Sequence, residues 1–226
     1  MMLHKFDTEQ LVKRSKSGFT TALIIGKRST GKTTFIKDLL DKINPSGLTI
    51  FTSKDLSEYD KYKGNKYTQL DYNILESIIK EQVMKRDYKV INSPHTIVID
   101  DNNIDYKNRI INELLYNGCH YHINIIISTS YSNLGPEARC NMDYVYLLYD
   151  NSMNSKKRLY KHYAGMFPSY DNFDETFKLN IQDHEAMVID NRIYDGDINK
   201  MVFRYELPYD DPKTNPFLYY RNEWYN

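Results

Sequence analysis

Short apolar runs alternate along the chain with stretches in which apolar residues recur every three or four positions. Thr21-Ala22-Leu23-Ile24-Ile25 is a nearly unbroken apolar run ending at Gly26, the pattern of a strand buried on both faces. Past Lys32, residues Phe35, Ile36, Leu39, Leu40 and Ile43 share one helix face, and Asn44-Pro45-Ser46-Gly47 ends that helix. Residues 48–51 predict a second strand, and a polar loop rich in Lys and Tyr follows over 54–66. Asp71 is an N-cap for a helix carrying Ile74, Leu75, Ile78, Ile79 and Val83. A third strand, 96–99, runs into Asp100-Asp101. A helix with Ile110, Ile111, Leu114 and Leu115 stops at Asn117-Gly118, and strands are predicted at 123–127 and 144–149. This alternation means a mostly parallel sheet with helices on both faces. In the last third, helical segments near 156–163 and 171–177 precede strands at 186–189 and 201–205. Asp195-Gly196-Asp197 between them predicts a C-terminal β-hairpin. The tail, with Pro208, Pro212 and Pro216, is predicted to run extended along the surface.

Composition narrows the class. The 226 residues suit one large α/β domain with trimmings, or two very small ones. A hydrophobic fraction of 41% supports a packed core and disfavours disorder. Lys plus Arg number 30 against 30 Asp plus Glu, which excludes a polycation; any nucleic acid must be met by a local patch. Tyr is abundant, at 21 residues. AT-rich codon usage explains that excess, and a functional aromatic surface is the competing reading. Cys119 and Cys140 have no CxxC spacing, which argues against a zinc ribbon or a disulfide framework. The start carries charges where a secretory signal would be apolar, and the apolar runs are far too short to span a membrane. A soluble protein of a reducing compartment is expected.

The chemistry begins at Gly26-Lys27-Arg28-Ser29-Thr30-Gly31-Lys32-Thr33, followed by Thr34, which matches the phosphate loop G-x-x-x-x-G-K-[ST] between a predicted strand and a predicted helix. The glycines let consecutive N–H groups turn toward a phosphate, and the helix start adds its positive dipole end. Lys32 supplies charge to the β- and γ-phosphates of ATP, and the Thr33 hydroxyl is a Mg²⁺ ligand. Asp100, at the end of an apolar strand, is the second metal residue, and Asp101 is placed to polarise the attacking water; the plainer alternative is that both cap the next helix. If the strand at 123–127 lies between these two motif strands, its tip faces the γ-phosphate. Thr129 and Ser130 are then the candidate sensors, with Ser128 a weaker third and turn chemistry the alternative. Arg139 is a candidate for reaching a neighbouring subunit's nucleotide, or else a surface ion pair. His120 and His122, expected on one face of a strand, lack further ligands at useful spacing. A G protein would need an NKxD motif, which is lacking, and a small-molecule kinase an Arg-rich lid, for which Lys156-Lys157-Arg158 is the nearest match and reads more simply as a solvated helix face. The expected fold is a P-loop NTPase with a RecA-like, mostly parallel sheet flanked by helices, an additional strand between the two motif strands, and the C-terminal hairpin. It divides into an extension 1–17, an ATPase domain 18–206 and a tail 207–226.

The phosphate loop, Asp100-Asp101, Asn117-Gly118-Cys119-His120, Ile125-Ile126-Ile127-Ser128-Thr129-Ser130 and Arg139-Cys140-Asn141 occur in one order. Together they resemble the genome-packaging ATPases of large double-stranded DNA viruses, the poxvirus-like branch of the FtsK–HerA superfamily, over roughly residues 18–206. Two departures stand out: this family often carries Arg where Cys119 stands, and a Gln at the strand end where Thr129 or Ser130 must substitute. The resemblance implies a homo-oligomeric ring, a hexamer by preference, with ATP sites at subunit interfaces and Arg139 acting in trans. It also implies that double-stranded DNA passes through the ring into a preformed capsid, in the host cytoplasm (viral factory) or virion. Lys54, Lys61, Lys63 and Lys66, interleaved with Tyr59, Tyr62 and Tyr67, are the candidate DNA-contacting cluster. The plainer reading is an exposed loop balanced by Asp55, Glu58 and Asp60. Competing functions are a helicase or other nucleic-acid remodeller on the same core, and an assembly subunit gated by nucleotide. The acid Asp101 argues against the gate, which has little need of hydrolysis.

Overall fold

The computed structural model describes residues 1–89, 93–130, 134–182, 184–193 and 196–208. In chain order these form β1 (His4–Lys5), α1 (Glu9–Ser17), β2 (Thr21–Ile25), α2 (Lys32–Ile43), β3 (Gly47–Thr52), β4 (Asn65–Tyr67), α3 (Tyr72–Asp87), β5 (His95–Asp100) and α4 (Arg109–Asn117). There follow β6 (Ile123–Thr129), α5 (Pro136–Cys140), β7 (Tyr144–Leu148), α6 (Met153–Tyr163), α7 (Tyr170–Asn180), β8 (Glu185–Asp190), α8 (Ile198–Met201) and β9 (Val202–Glu206). Among the described residues one nine-stranded sheet results, in the order β1-β9-β8-β7-β2-β6-β5-β3-β4. Only β8 runs against the others.

The central strands are buried on both faces, which is why their sequences show runs rather than alternation. Leu23 and Ile25 pack into one core with Leu75 of α3, Leu114 of α4 and Phe173 of α7. Ala22 and Ile24 pack into the other with Leu11 of α1 and Phe35 and Leu39 of α2. Asp71 caps α3 as its position predicts, accepting the Asn73 N–H at 2.8 Å. The strand expected between the two motif strands is there: β6 pairs with β2 on one side and β5 on the other, parallel to both.

Several details depart from the sequence reading. Residues 1–17 add β1 alongside β9, with His4 opposite Phe203, and α1 against the α2 core. The loop over 54–66 contributes a short helical turn, Leu56–Tyr59, and the edge strand β4. β8 and β9 form the expected antiparallel pair, but α8 occupies part of their connection, so Met201 is helical and the strand starts at Val202. Asp195 of that turn, like Pro212 and Pro216 of the tail, lies outside the described residues. His120 and His122 do not share a strand face. They precede β6, in a turn and a left-handed residue with φ 54°, because the chain must reverse there to enter the sheet. Much of the tyrosine is core: Tyr59, Tyr144 and Tyr146 are fully buried, and Phe6 meets Tyr144, Tyr146 and Tyr205 edge-on at 5.6–6.1 Å.

Candidate nucleotide site

Residues 26–31 link the C-terminal end of β2 to the first turn of α2. Gly31 has φ +89° and Ser29 φ 65°, left-handed conformations that fold the loop over the helix start. Gly26 is required for space: a Cβ there would sit 2.4 Å from Thr30 Oγ1 and 3.0 Å from Leu148 Cβ. The Gly26 N–H donates to the Thr129 carbonyl at 3.2 Å, tying the loop to the tip of β6. Lys27 pairs with Asp150 at 2.6 Å and reaches Asn151 at 3.2 Å, while Arg28, Ser29 and Thr34 are exposed. Thr30 Oγ1 closes the loop by donating to the Lys27 carbonyl at 2.9 Å.

Lys32 is buried, and its ammonium donates to the Gly26 and Lys27 carbonyls and to Ser130 Oγ, each at 3.0 Å. Burial pushes its pKa down, with Asp101, 3.7 Å away, the main opposing influence. Ser130 Oγ in turn donates to Asp101 Oδ1 at 3.1 Å, so one hydroxyl links the loop lysine to the acid. Asp101 holds a left-handed backbone, φ 55°, restrained by its N–H to the Ser128 carbonyl (3.3 Å) and Ser128 Oγ (3.1 Å). A non-glycine residue in that conformation costs about 1–2 kcal/mol, and such outliers cluster at functional sites.

Asp100 is completely buried. Its Oδ2 accepts from Thr33 Oγ1 at 3.0 Å and from the Tyr59 hydroxyl at 2.9 Å. Its Oδ1 accepts from Ser128 Oγ, and Lys54 Nζ lies 3.5 Å from Oδ2 and donates to Thr33 Oγ1. Burial and the Asp100 charge push the Tyr59 pKa up, so the phenol stays a donor. The Thr33–Asp100 pair fits Mg²⁺: one hydroxyl and one carboxylate brought together beside a phosphate-binding loop, with a lysine ammonium already drawn to the same oxygens. That ion takes few protein oxygens and fills its shell from phosphates and water. Among the described residues no group of three or more His, Cys, Asp or Glu is placed to hold a metal by itself.

The structure thus brings together Lys32, Thr33, Asp100, Asp101 and Ser130, with Thr129 contributing its backbone carbonyl. Ser128, the weaker sensor candidate, turns out to orient both acids. Arg139 stands apart on α5, its guanidinium donating to the Leu134 carbonyl at 2.9 Å. Sequence reasoning missed Lys54 and Tyr59 as site residues, having placed both in a DNA-contacting cluster. Several members of that cluster are engaged within the chain: Lys61 pairs with Asp41 at 2.7 Å, the Tyr62 hydroxyl donates to Asp41 at 2.9 Å, and Tyr67 stacks on Phe51 at 5.4 Å between centroids.

No protein-family model matches the chain. The genome-packaging NTPase B204 of Sulfolobus turreted icosahedral virus 2, solved with AMPPCP, is similar with a TM-score of 0.60. The match has 14% identity and covers 84% of this chain and 98% of that one. Fold and phosphate loop together define a P-loop NTPase fold. The uncharacterized protein L437 of Acanthamoeba polyphaga mimivirus is 31% identical over 201 residues, 80% of this chain and 70% of its own length. The chain belongs to the family of L437, a family of proteins from large DNA viruses. The uncharacterized protein 015R of Frog virus 3 is 28% identical over 215 residues, 88% of this chain and 65% of its own. No helix among the described residues is long and apolar enough to cross a membrane.

Proposed function

We propose that this chain hydrolyses ATP and couples the reaction to movement of double-stranded DNA into a viral capsid, as one subunit of a homo-oligomeric ring of six. The observation that carries the ATPase reading is the continuous chain Lys32–Ser130–Asp101, set beside the Thr33–Asp100 pair. The N–H groups of the loop beyond Gly26 and the Lys32 ammonium receive the β- and γ-phosphates. Thr33 and Asp100 are the residues that would hold Mg²⁺, which when bound would neutralise phosphate charge. Asp101, partly exposed, accepts from Ser130 on Oδ1 and faces the Lys32 ammonium with Oδ2 at 3.7 Å; from there it orients the attacking water. Ser130 touches both Lys32 and Asp101, which favours it over Thr129 as the sensor of the γ-phosphate.

Arg139 lies off its own chain's phosphate-loop network, as a residue acting on a neighbouring subunit's nucleotide would. The likeness in fold to a viral packaging NTPase and the family's membership among large DNA viruses support capsid filling as the task. The test is phosphate release measured with and without double-stranded DNA, alongside mass determination in solution. Stimulation by the duplex and assembly into a ring with nucleotide are expected. A protein that stays monomeric with ATP and responds to no nucleic acid would refute the translocase reading. Stimulation by single strands alone would point to a helicase instead.

A further inference from the structure

Asp100 is a fully buried carboxylate, and such a charge is tolerated only with a compensating cation or several donors. Thr33, Tyr59 and Ser128 supply donors but no charge; among the described residues the cation at ion-pair distance is Lys54, 3.5 Å from Oδ2, with Lys32 acting from farther off. The Thr33 hydroxyl spends its proton on Asp100, so it meets the Lys54 ammonium through oxygen lone pairs, the electrons a metal ion would take. Lys54 therefore occupies both oxygens of the metal subsite. It sits two residues beyond the end of β3, and its side chain is 35% exposed, so the flexible stem has a route into solvent.

Resting on the ATPase reading above, we propose that Lys54 is a resident counter-ion of the metal subsite. It holds Thr33 and Asp100 together in the nucleotide-free protein and swings out when metal and nucleotide bind, so it sets the metal concentration at which the nucleotide is gripped. Lys54 is a positioning residue on this account; it takes no part in bond making.

The experiment compares wild type, Lys54→Met and Lys54→Arg. Thermal unfolding is recorded in EDTA without nucleotide, and Mg²⁺ is titrated against binding of a fluorescent, non-hydrolysable ATP analogue. Lys54→Met is expected to melt lower than wild type in EDTA and to reach half-saturation at about tenfold lower Mg²⁺. That factor corresponds to an ammonium filling the subsite about 90% of the time. Lys54→Arg, which keeps the charge, is expected to recover most of the stability. A Mg²⁺ requirement that rises in Lys54→Met, or stays at the wild-type value, overturns the proposal whatever the melting temperature. Wild-type protein that binds no analogue at any Mg²⁺ concentration refutes the ATPase reading itself, and the displacement role falls with it. Binding that is intact but unshifted refutes only the role of Lys54.

Discussion

Ser128→Ala tests how the two acids are held. The Ser128 hydroxyl is fully buried; it donates to Asp100 Oδ1 and accepts the Asp101 N–H at 3.1 Å. Its removal takes a donor from a buried carboxylate, a loss of about 1.5–3 kcal/mol for a hydrogen bond to a charged group. The Asp101 N–H keeps its longer bond to the Ser128 carbonyl at 3.3 Å, so that side adds little. A destabilisation of about 2 kcal/mol lowers the melting temperature of a domain this size by roughly 4–8 °C. The second effect is on geometry. Asp101 loses one of two restraints on a left-handed backbone, and turnover is expected to fall about tenfold or more because the water-orienting oxygen is misplaced. Urea unfolding without nucleotide reads the first effect, and steady-state phosphate release the second. Unchanged stability with full turnover would refute the reasoning. A large rise in KM with stability untouched would mean that Ser128 meets the nucleotide rather than the acids.

Asp101→Asn is expected to bind ATP within about threefold of wild type while losing at least about a hundredfold in phosphate release, the usual scale for removing a general base. Normal function in that variant would favour a nucleotide-gated assembly role. A third prediction concerns His95, whose ring pairs with Thr49 Oγ1 at 2.9 Å. Burial lowers its pKa below 6.5, with Glu81 opposing and Lys85 adding. A base held neutral in the fold makes the unfolded chain bind more protons, so stability present above about pH 6.5 is lost as pH falls below it. His95→Gln should flatten that decline, measured by chemical denaturation from about pH 7 to pH 5; an identical pH slope in the two proteins would contradict it.

What the sequence made legible was what lies close together along the chain or repeats with a period. The phosphate loop is a contiguous octapeptide between a strand and a helix, and β2, β5 and β6 are apolar runs with polar tips. The place of β6 between β2 and β5 followed from the motif logic and was found. Lys54 and Tyr59 were not legible as site residues. Their partners Thr33 and Asp100 lie 21 and 41 residues away, and a loop of Lys and Tyr gives no periodicity from which burial can be read. For α1 the difficulty is different. Leu11 and Val12 are its only large apolar residues, and its buried Ser15 is satisfied by donating to the Leu11 carbonyl at 2.9 Å. A two-residue strand such as β1 has no pattern of its own and exists because β9 offers an edge.

Strand β6, Ile-Asn-Ile-Ile-Ile-Ser-Thr, is apolar on both faces, so oil-and-water alternation does little to decide how far it slides against its neighbours. Two polar side chains on one face do decide it. At one end Asn124 lies opposite Thr96 and donates to the Ser15 carbonyl at 2.9 Å; at the other Ser128 lies opposite Asp100 and donates to it. A slip of one residue would turn both into the wrong core, leaving a buried amide without the Ser15 carbonyl and Asp100 Oδ1 without its serine donor. The serine that aligns the acids is thus also a stop that makes misthreading of the strand costly. For this protein, correct folding and a correctly assembled site are checked by the same hydrogen bond.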